Sequence, residues 1–191
     1  MENFTPVDPD ELLAATIQFI ARYPFDNINS DHRCFLNTKA EAQNPNPYQG
    51  ADGLNWDQPE ADQLHENDFT EFLPEWKGSI FHKIYEDFPL PVARMRLMRV
   101  RPRTCYSIHT DGPGAFRYHI AIKTNPTAYW IYGDTLDMIH IPADGHCYEF
   151  DGSRPHTFAN FSNFNANLNK VQNAGKPEDR FHLVLNAKQQ E

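Results

Sequence analysis

His109 and Asp111 stand two positions apart in Cys105-Tyr-Ser-Ile-His-Thr-Asp111, and another histidine, His156, follows in Arg154-Pro-His-Thr-Phe158. Two imidazoles and one carboxylate are the donor set of a non-haem Fe(II) site that keeps positions open for substrates and dioxygen. If the three meet in space, they point to an oxygen-activating enzyme rather than a binding module. A His-x-Asp pair alone arises often by chance, so its weight depends on the elements that would have to position it.

From Val92 onward, short β-rich runs fall at 93–100, 105–111, 116–123, 129–132, 137–141, 146–150, 156–161 and 180–186, separated by Gly, Pro, Asp and Asn clusters. That cadence predicts an antiparallel barrel or sandwich. Side chains alternate faces along a strand, so residues of equal parity share a side. On 105–111 the shared face carries Cys105, Ser107, His109 and Asp111; on 116–123 it carries Arg117, His119 and Ala121; on the last run, Arg180, His182, Val184 and Asn186. The opposite faces hold Ile108, Tyr118, Ile120, Ile122, Leu183 and Leu185. A solvated sheet surface is the commoner reading of any single alternating strand. Three faces bearing His, Asp and Arg instead of Lys, Glu and Thr favour a barrel lumen with a few convergent polar groups.

The first half of the chain supplies cover for the apolar faces. Residues 8–23 predict an amphipathic helix, with Asp8 as N-cap, Pro9 at the first helical position and Asp10 and Glu11 against the positive end of the helix dipole. Cys34-Phe-Leu reads as a short strand, and a second helix falls within 69–87, ended by Pro89 and Pro91. Between them, residues 40–65 are polar and rich in Asn, Pro and Asp, a long loop of the kind that is usually functional. The expectation is one domain: a helical half over 1–90 packed on a β core over 91–187.

Composition narrows the classes. The chain has 191 residues, is 40% hydrophobic and 13% aromatic, and so folds with a sizeable core. A formal charge of −9 argues against non-specific nucleic-acid binding. There is no long apolar run to span a membrane and no basic-then-apolar start of a secretory signal. Cys34, Cys105 and Cys147 are odd in number and far apart, which fits a reducing cytoplasm better than a disulfide framework. The oligomeric state stays open.

Three further motifs accompany the triad: Arg117-Tyr-His119-Ile-Ala-Ile122; Ile141-Pro-Ala-Asp-Gly145 followed by Tyr148-Glu-Phe150-Asp151 and Pro155-His156; and Arg180-Phe-His-Leu-Val-Leu185. With them, residues 92–187 resemble the Fe(II)/2-oxoglutarate-dependent oxygenase superfamily, in particular its aspartyl/asparaginyl β-hydroxylase-like branch, which includes certain free-proline hydroxylases. The resemblance implies a mainly β fold with flanking helices: a double-stranded β-helix, or jelly-roll, cupin-like barrel, packed by the N-terminal helices. It implies that His109, Asp111 and His156 bind Fe(II), that Arg180 pairs with the distal carboxylate of 2-oxoglutarate, and that Arg117 and His119 hold the cosubstrate or substrate nearer the metal. A planar guanidinium suits a carboxylate in such a place. The β-hydroxylase proper lacks the metal-binding carboxylate and halogenases open that position for halide, so Asp111 marks the usual triad. The implied reaction uses dioxygen to hydroxylate an amino acid or peptidyl residue, releasing succinate and CO2.

Among Arg94, Arg96, Arg99, Arg101 and Arg103, the resemblance favours Arg96 and Arg99 as pocket residues that select an anionic small-molecule or peptide substrate; a salt-bridged strand is the plain alternative. His182 reads as a structural neighbour of Arg180, His140 and His146 as solvated, Cys105 and Cys147 as strand core, and Trp56, Trp76 and Trp130 as packing residues. The segments 40–65 and 161–179 are candidate substrate covers. Two other classes stay in play: a cupin-type metalloenzyme, such as an isomerase or a cosubstrate-independent dioxygenase, and a non-catalytic barrel that binds a partner or sugar.

Overall fold

The computed structural model describes residues 4–25, 33–39, 47–48, 66–112, 114–162 and 178–188. Most of the 40–65 segment, including Trp56, and most of 161–179 lie outside the described residues, as does any covering role for them. Helix α1 spans Pro9–Arg22, and the Asp8 carboxylate accepts from the N–H groups of Asp10 and Glu11 at 2.9 and 3.3 Å, satisfying two of the helix's orphan donors. Helix α2 is shorter than expected, Ile80–Asp87. Pro74 starts a separate 3-10 turn at 74–76, Gly78 takes a φ of +83° that a side chain disfavours, and Ser79 then caps the helix through the N–H of His82.

The strands are β1 (Arg33–Phe35), β2 (Asn37–Thr38), β3 (Glu71–Phe72), β4 (Val92–Val100), β5 (Thr104–Cys105), β6 (Phe116–Lys123), β7 (Ala128–Tyr132), β8 (Met138–Ile139), β9 (Tyr148–Asp151), β10 (His156–Asn160) and β11 (Arg180–Ala187). One sheet has the order β1-β4-β11-β6-β9 and a second the order β5-β10-β7-β8; β2 and β3 form a separate small pair. Counting β4 as first and β11 as eighth, the barrel sheets run 1-8-3-6 and 2-7-4-5, the jelly-roll order. The fold is therefore the mainly β, cupin-like double-stranded β-helix that was expected.

The alternation sorts the long strands into two faces. Met95 and Leu97 of β4, Tyr118, Ile120 and Ile122 of β6, and Leu183 and Leu185 of β11 join Leu12 and Phe19 of α1 and Phe81 and Ile84 of α2 in one buried cluster. Each fully buried Leu or Phe there contributes roughly 1.5–3 kcal/mol. A smaller cluster of Ala121, Trp130, Tyr132, Ile141 and Phe150 joins the inner faces of the two sheets.

The expected strand 105–111 is corrected. Cys105 pairs with Ala159, yet His109 pairs with His156, so four steps on one side match three on the other. An extra residue of this kind is a β-bulge, which breaks the ladder and re-aims the side chains beyond it. The parity of Cys105 therefore does not carry to His109, and Cys105, expected in the core, is exposed; Cys147 is buried as expected. No described helix is long and apolar enough to cross a membrane.

Candidate metal centre

The bulge delivers the triad. Backbone bonds join His109 N to the His156 carbonyl at 3.0 Å and His156 N to the His109 carbonyl at 2.9 Å, and the two rings leave the sheet with centroids 4.5 Å apart. Asp111 is tied by its N–H to the Gly152 carbonyl at 2.8 Å. One ligand atom from each of His109, Asp111 and His156 lies within 4.8 Å of the others. His109 Nε2 is 3.8 Å from Asp111 Oδ1, and His156 Nε2 is 3.6 Å from Asp111 Oδ2. The 3.8 Å from His109 Nε2 to Asp111 Oδ1 falls within the roughly 4.2 Å that two ligands about 2.1 Å from one ion can span.

The imidazoles are preset for that task. His109 Nδ1 lies 2.8 Å from the Ser107 carbonyl and His156 Nδ1 lies 2.9 Å from the Arg154 carbonyl. A carbonyl only accepts, so each Nδ1 carries the proton and each Nε2 presents its lone pair toward Asp111. His156 is buried and stacked on Trp130 at 4.3 Å between centroids, whereas His109 is exposed and sits at the mouth. Burial lowers the affinity of His156 for a proton, against its backbone bond and Asp111. Burial pushes the Asp111 carboxyl up, but Arg117, His156 and Arg96 together outweigh that and hold it below the usual carboxylate range. His156 is thus disposed to its neutral form and Asp111 to its charged form, the forms that bind a divalent ion.

Two residues that the sequence reading passed over shape this carboxylate. A Cβ on Gly152 would meet Asp111 Oδ2 and the Ala115 carbonyl, each at 2.8 Å, so only glycine leaves Asp111 its place. Arg117 lies with Nε 2.8 Å from Asp111 Oδ2, and its NH1 and NH2 donate to Glu66 Oε2 and Oε1 at 2.9 and 3.2 Å. Gly152 follows the Phe-Asp motif closely enough to have been suspected. Glu66 has no distinguishing local signal.

The triad opens into a cavity of about 370 Å³ reaching to Arg180 and His182, within the size range of small-ligand sites. Arg180 is buried, packs 4.4 Å from the Phe158 ring centroid, and has no carboxylate within ion-pair distance among the described residues. Its Nε and NH2 lie 2.9 Å from the two ring nitrogens of His182, but a neutral imidazole accepts at only one of them. Burial brings the Arg180 guanidinium down to about 9, so it stays charged at neutral pH. His182 is held neutral by burial and then by Arg180. Neither ring nitrogen of the buried His119 meets a hydrogen-bond partner among the described residues.

Of the arginines on β4, Arg96 lines the cavity and its NH1 reaches Asn186 Oδ1 at 3.4 Å. Arg99 does not line it: its odd parity turns it to the helix-covered side, where its guanidinium lies 5.1 Å from the Phe25 ring centroid. His140 and His146 are exposed as expected, and Trp130 is the wall behind His156 and His119 as well as a packing residue.

No known family model and no curated protein matches this sequence. Solved structures do resemble it. An RmlC-like cupin protein from Desulfovibrio desulfuricans is 13% identical over 49% of this chain and 70% of its own, with a TM-score of 0.34. The plu4264 protein from Photorhabdus luminescens is 15% identical over 71% of this chain and 85% of its own, with a TM-score of 0.36. AviO1 from Streptomyces viridochromogenes Tue57 is 15% identical over 97% of this chain and 86% of its own, with a TM-score of 0.48. Likeness at this level says nothing about activity.

Proposed function

We propose that the protein is an Fe(II)- and 2-oxoglutarate-dependent dioxygenase that hydroxylates an amino acid or peptidyl residue. The observation that carries this reading is a buried arginine, Arg180, with no carboxylate partner among the described residues, in the same cavity as an oriented His-Asp-His triad. Arg96 and Arg180 line that cavity, and Asp111 is the one carboxylate among its described lining residues, in a chain whose formal charge is −9. Such a lumen suits an anionic ligand that reaches from a cation at one end to a metal at the other.

His109, Asp111 and His156 would hold the iron, which when bound supplies the dioxygen chemistry. Arg180 binds the distal carboxylate of the cosubstrate, and the orphaned nitrogens of His119 offer it a further polar contact. Trp130 and Phe158 exclude water around these groups. Arg96 lies on the wall nearer the triad, where it would meet an anionic substrate group.

Anaerobic titration of metal-free protein with Fe(II), then 2-oxoglutarate, tests the reading through the visible charge-transfer band of the chelated complex. The band should appear in the parent, vanish in His109→Ala, and need far more 2-oxoglutarate in Arg180→Ala. Iron uptake without any response to 2-oxoglutarate would move the protein to the cupin-type metalloenzymes. No iron uptake would leave a binding barrel.

A further inference from the structure

Arg117 stands between two carboxylates that are far apart in the chain. Its guanidinium is planar, so a fork seated on both oxygens of Glu66 fixes where Nε lies, which is 2.8 Å from Asp111 Oδ2 in an ion-pair contact. Glu66 is pinned in turn: Asn186 donates to its Oε2, and Arg94 NH1 lies 3.4 Å from its Oε1. A chain of contacts anchored on β4 and β11 therefore ends on one oxygen of one member of the triad.

We infer that Glu66 is a positioning residue for Asp111: acting through Arg117, it occupies Oδ2 and leaves Oδ1, the oxygen nearer His109 Nε2, as the single carboxylate donor to a metal. One-oxygen ligation by a carboxylate beside two imidazoles is what keeps other positions on an ion open. Partners that orient a ligand in this way carry about 10- to 100-fold of metal affinity. The inference rests on the metal reading of the triad. The competing account is that Glu66 only neutralises Arg94, Arg96 and Arg117.

Anaerobic Co(II) titration of the metal-free protein separates the two, with affinity and d–d absorption as readouts and the metal-free Tm recorded for each variant. His109→Ala should lose Co(II) binding. Glu66→Gln removes the charge at constant shape, and Glu66→Asp keeps the charge but withdraws the fork. Positioning predicts that both weaken Co(II) by about 10-fold or more and alter the band shape. A parent-like Glu66→Asp beside a weakened Glu66→Gln would show an effect of charge alone and overturn the inference. So would a lowered metal-free Tm with unchanged affinity and spectrum. If the Glu66 variants do not fold, Asn186→Ala removes one of the two donors to Oε2 without altering any charge and should weaken Co(II) several-fold; unchanged affinity overturns the inference. Parent and His109→Ala behaving alike toward Co(II) would remove the metal reading itself, and this inference with it.

Discussion

The two ends of the barrel lumen are built on opposite principles. At the triad end the buried carboxylates are answered by cations: Arg117 lies between Asp111 and Glu66, and Glu66 also meets Arg94 and Asn186. Burial alone would raise the Glu66 carboxyl, yet Arg117, Arg96, Arg94 and Asn186 hold it below its ordinary value. At the far end, among the described residues, Arg180 meets a neutral imidazole and an aromatic face but no carboxylate, and His119 has no hydrogen-bond partner. A buried network that is satisfied internally gives shape, while one left open marks where a ligand completes it.

That contrast makes its strongest prediction at Arg117. Arg117→Met takes a charged partner from two carboxylates at once and should destabilise the metal-free protein by about 3–5 kcal/mol in urea unfolding, the usual effect of breaking a buried ion pair. Gly152→Ala forces a methyl group against Asp111 and the Ala115 carbonyl and should cost about 1–3 kcal/mol. It should also weaken metal binding, which Co(II) titration would read.

The next effect depends on pH. Burial keeps His119 and His182 neutral in the folded chain, with folded pKa values well below the ordinary 6.5. Below about pH 6.5 the unfolded chain binds protons at these positions that the folded chain refuses, so stability falls as pH falls, by about 1.4 kcal/mol per pH unit for each histidine. Urea unfolding of the metal-free protein between pH 7 and 5 should show that slope, and His182→Gln should remove about half of it. The smallest effect belongs to Arg180. Arg180→Met should leave metal-free stability unchanged or slightly higher, because an unanswered buried charge is exchanged for an apolar chain of similar length. Calorimetry should show 2-oxoglutarate binding lost all the same. A loss of stability at Arg180→Met as large as at Arg117→Met would erase the distinction between the two ends.

Much of this protein could be read along one line of residues. The Asp8 cap, the apolar stripe of α1 and the inward faces of β6 and β11 follow from local spacing, because a helix repeats near 3.6 residues and a strand every two. Arg180 was visible for the same reason, as an unusual group on an otherwise periodic face, whereas His109, Asp111 and His156 stood out by residue type and spacing. Three things were not visible, and each depends on a partner distant in sequence. The bulge before His109 exists only in the register against β10. Parity puts Arg96 and Arg99 on opposite faces of β4, but which of the two enters the lumen depends on which face meets the helices. Glu66 sits next to a polar segment where one more carboxylate carries no distinctive signature; its meaning comes from Arg117, 51 positions later. Local periodicity encodes which way a side chain points, but what it meets there depends on how separate strands are brought into register.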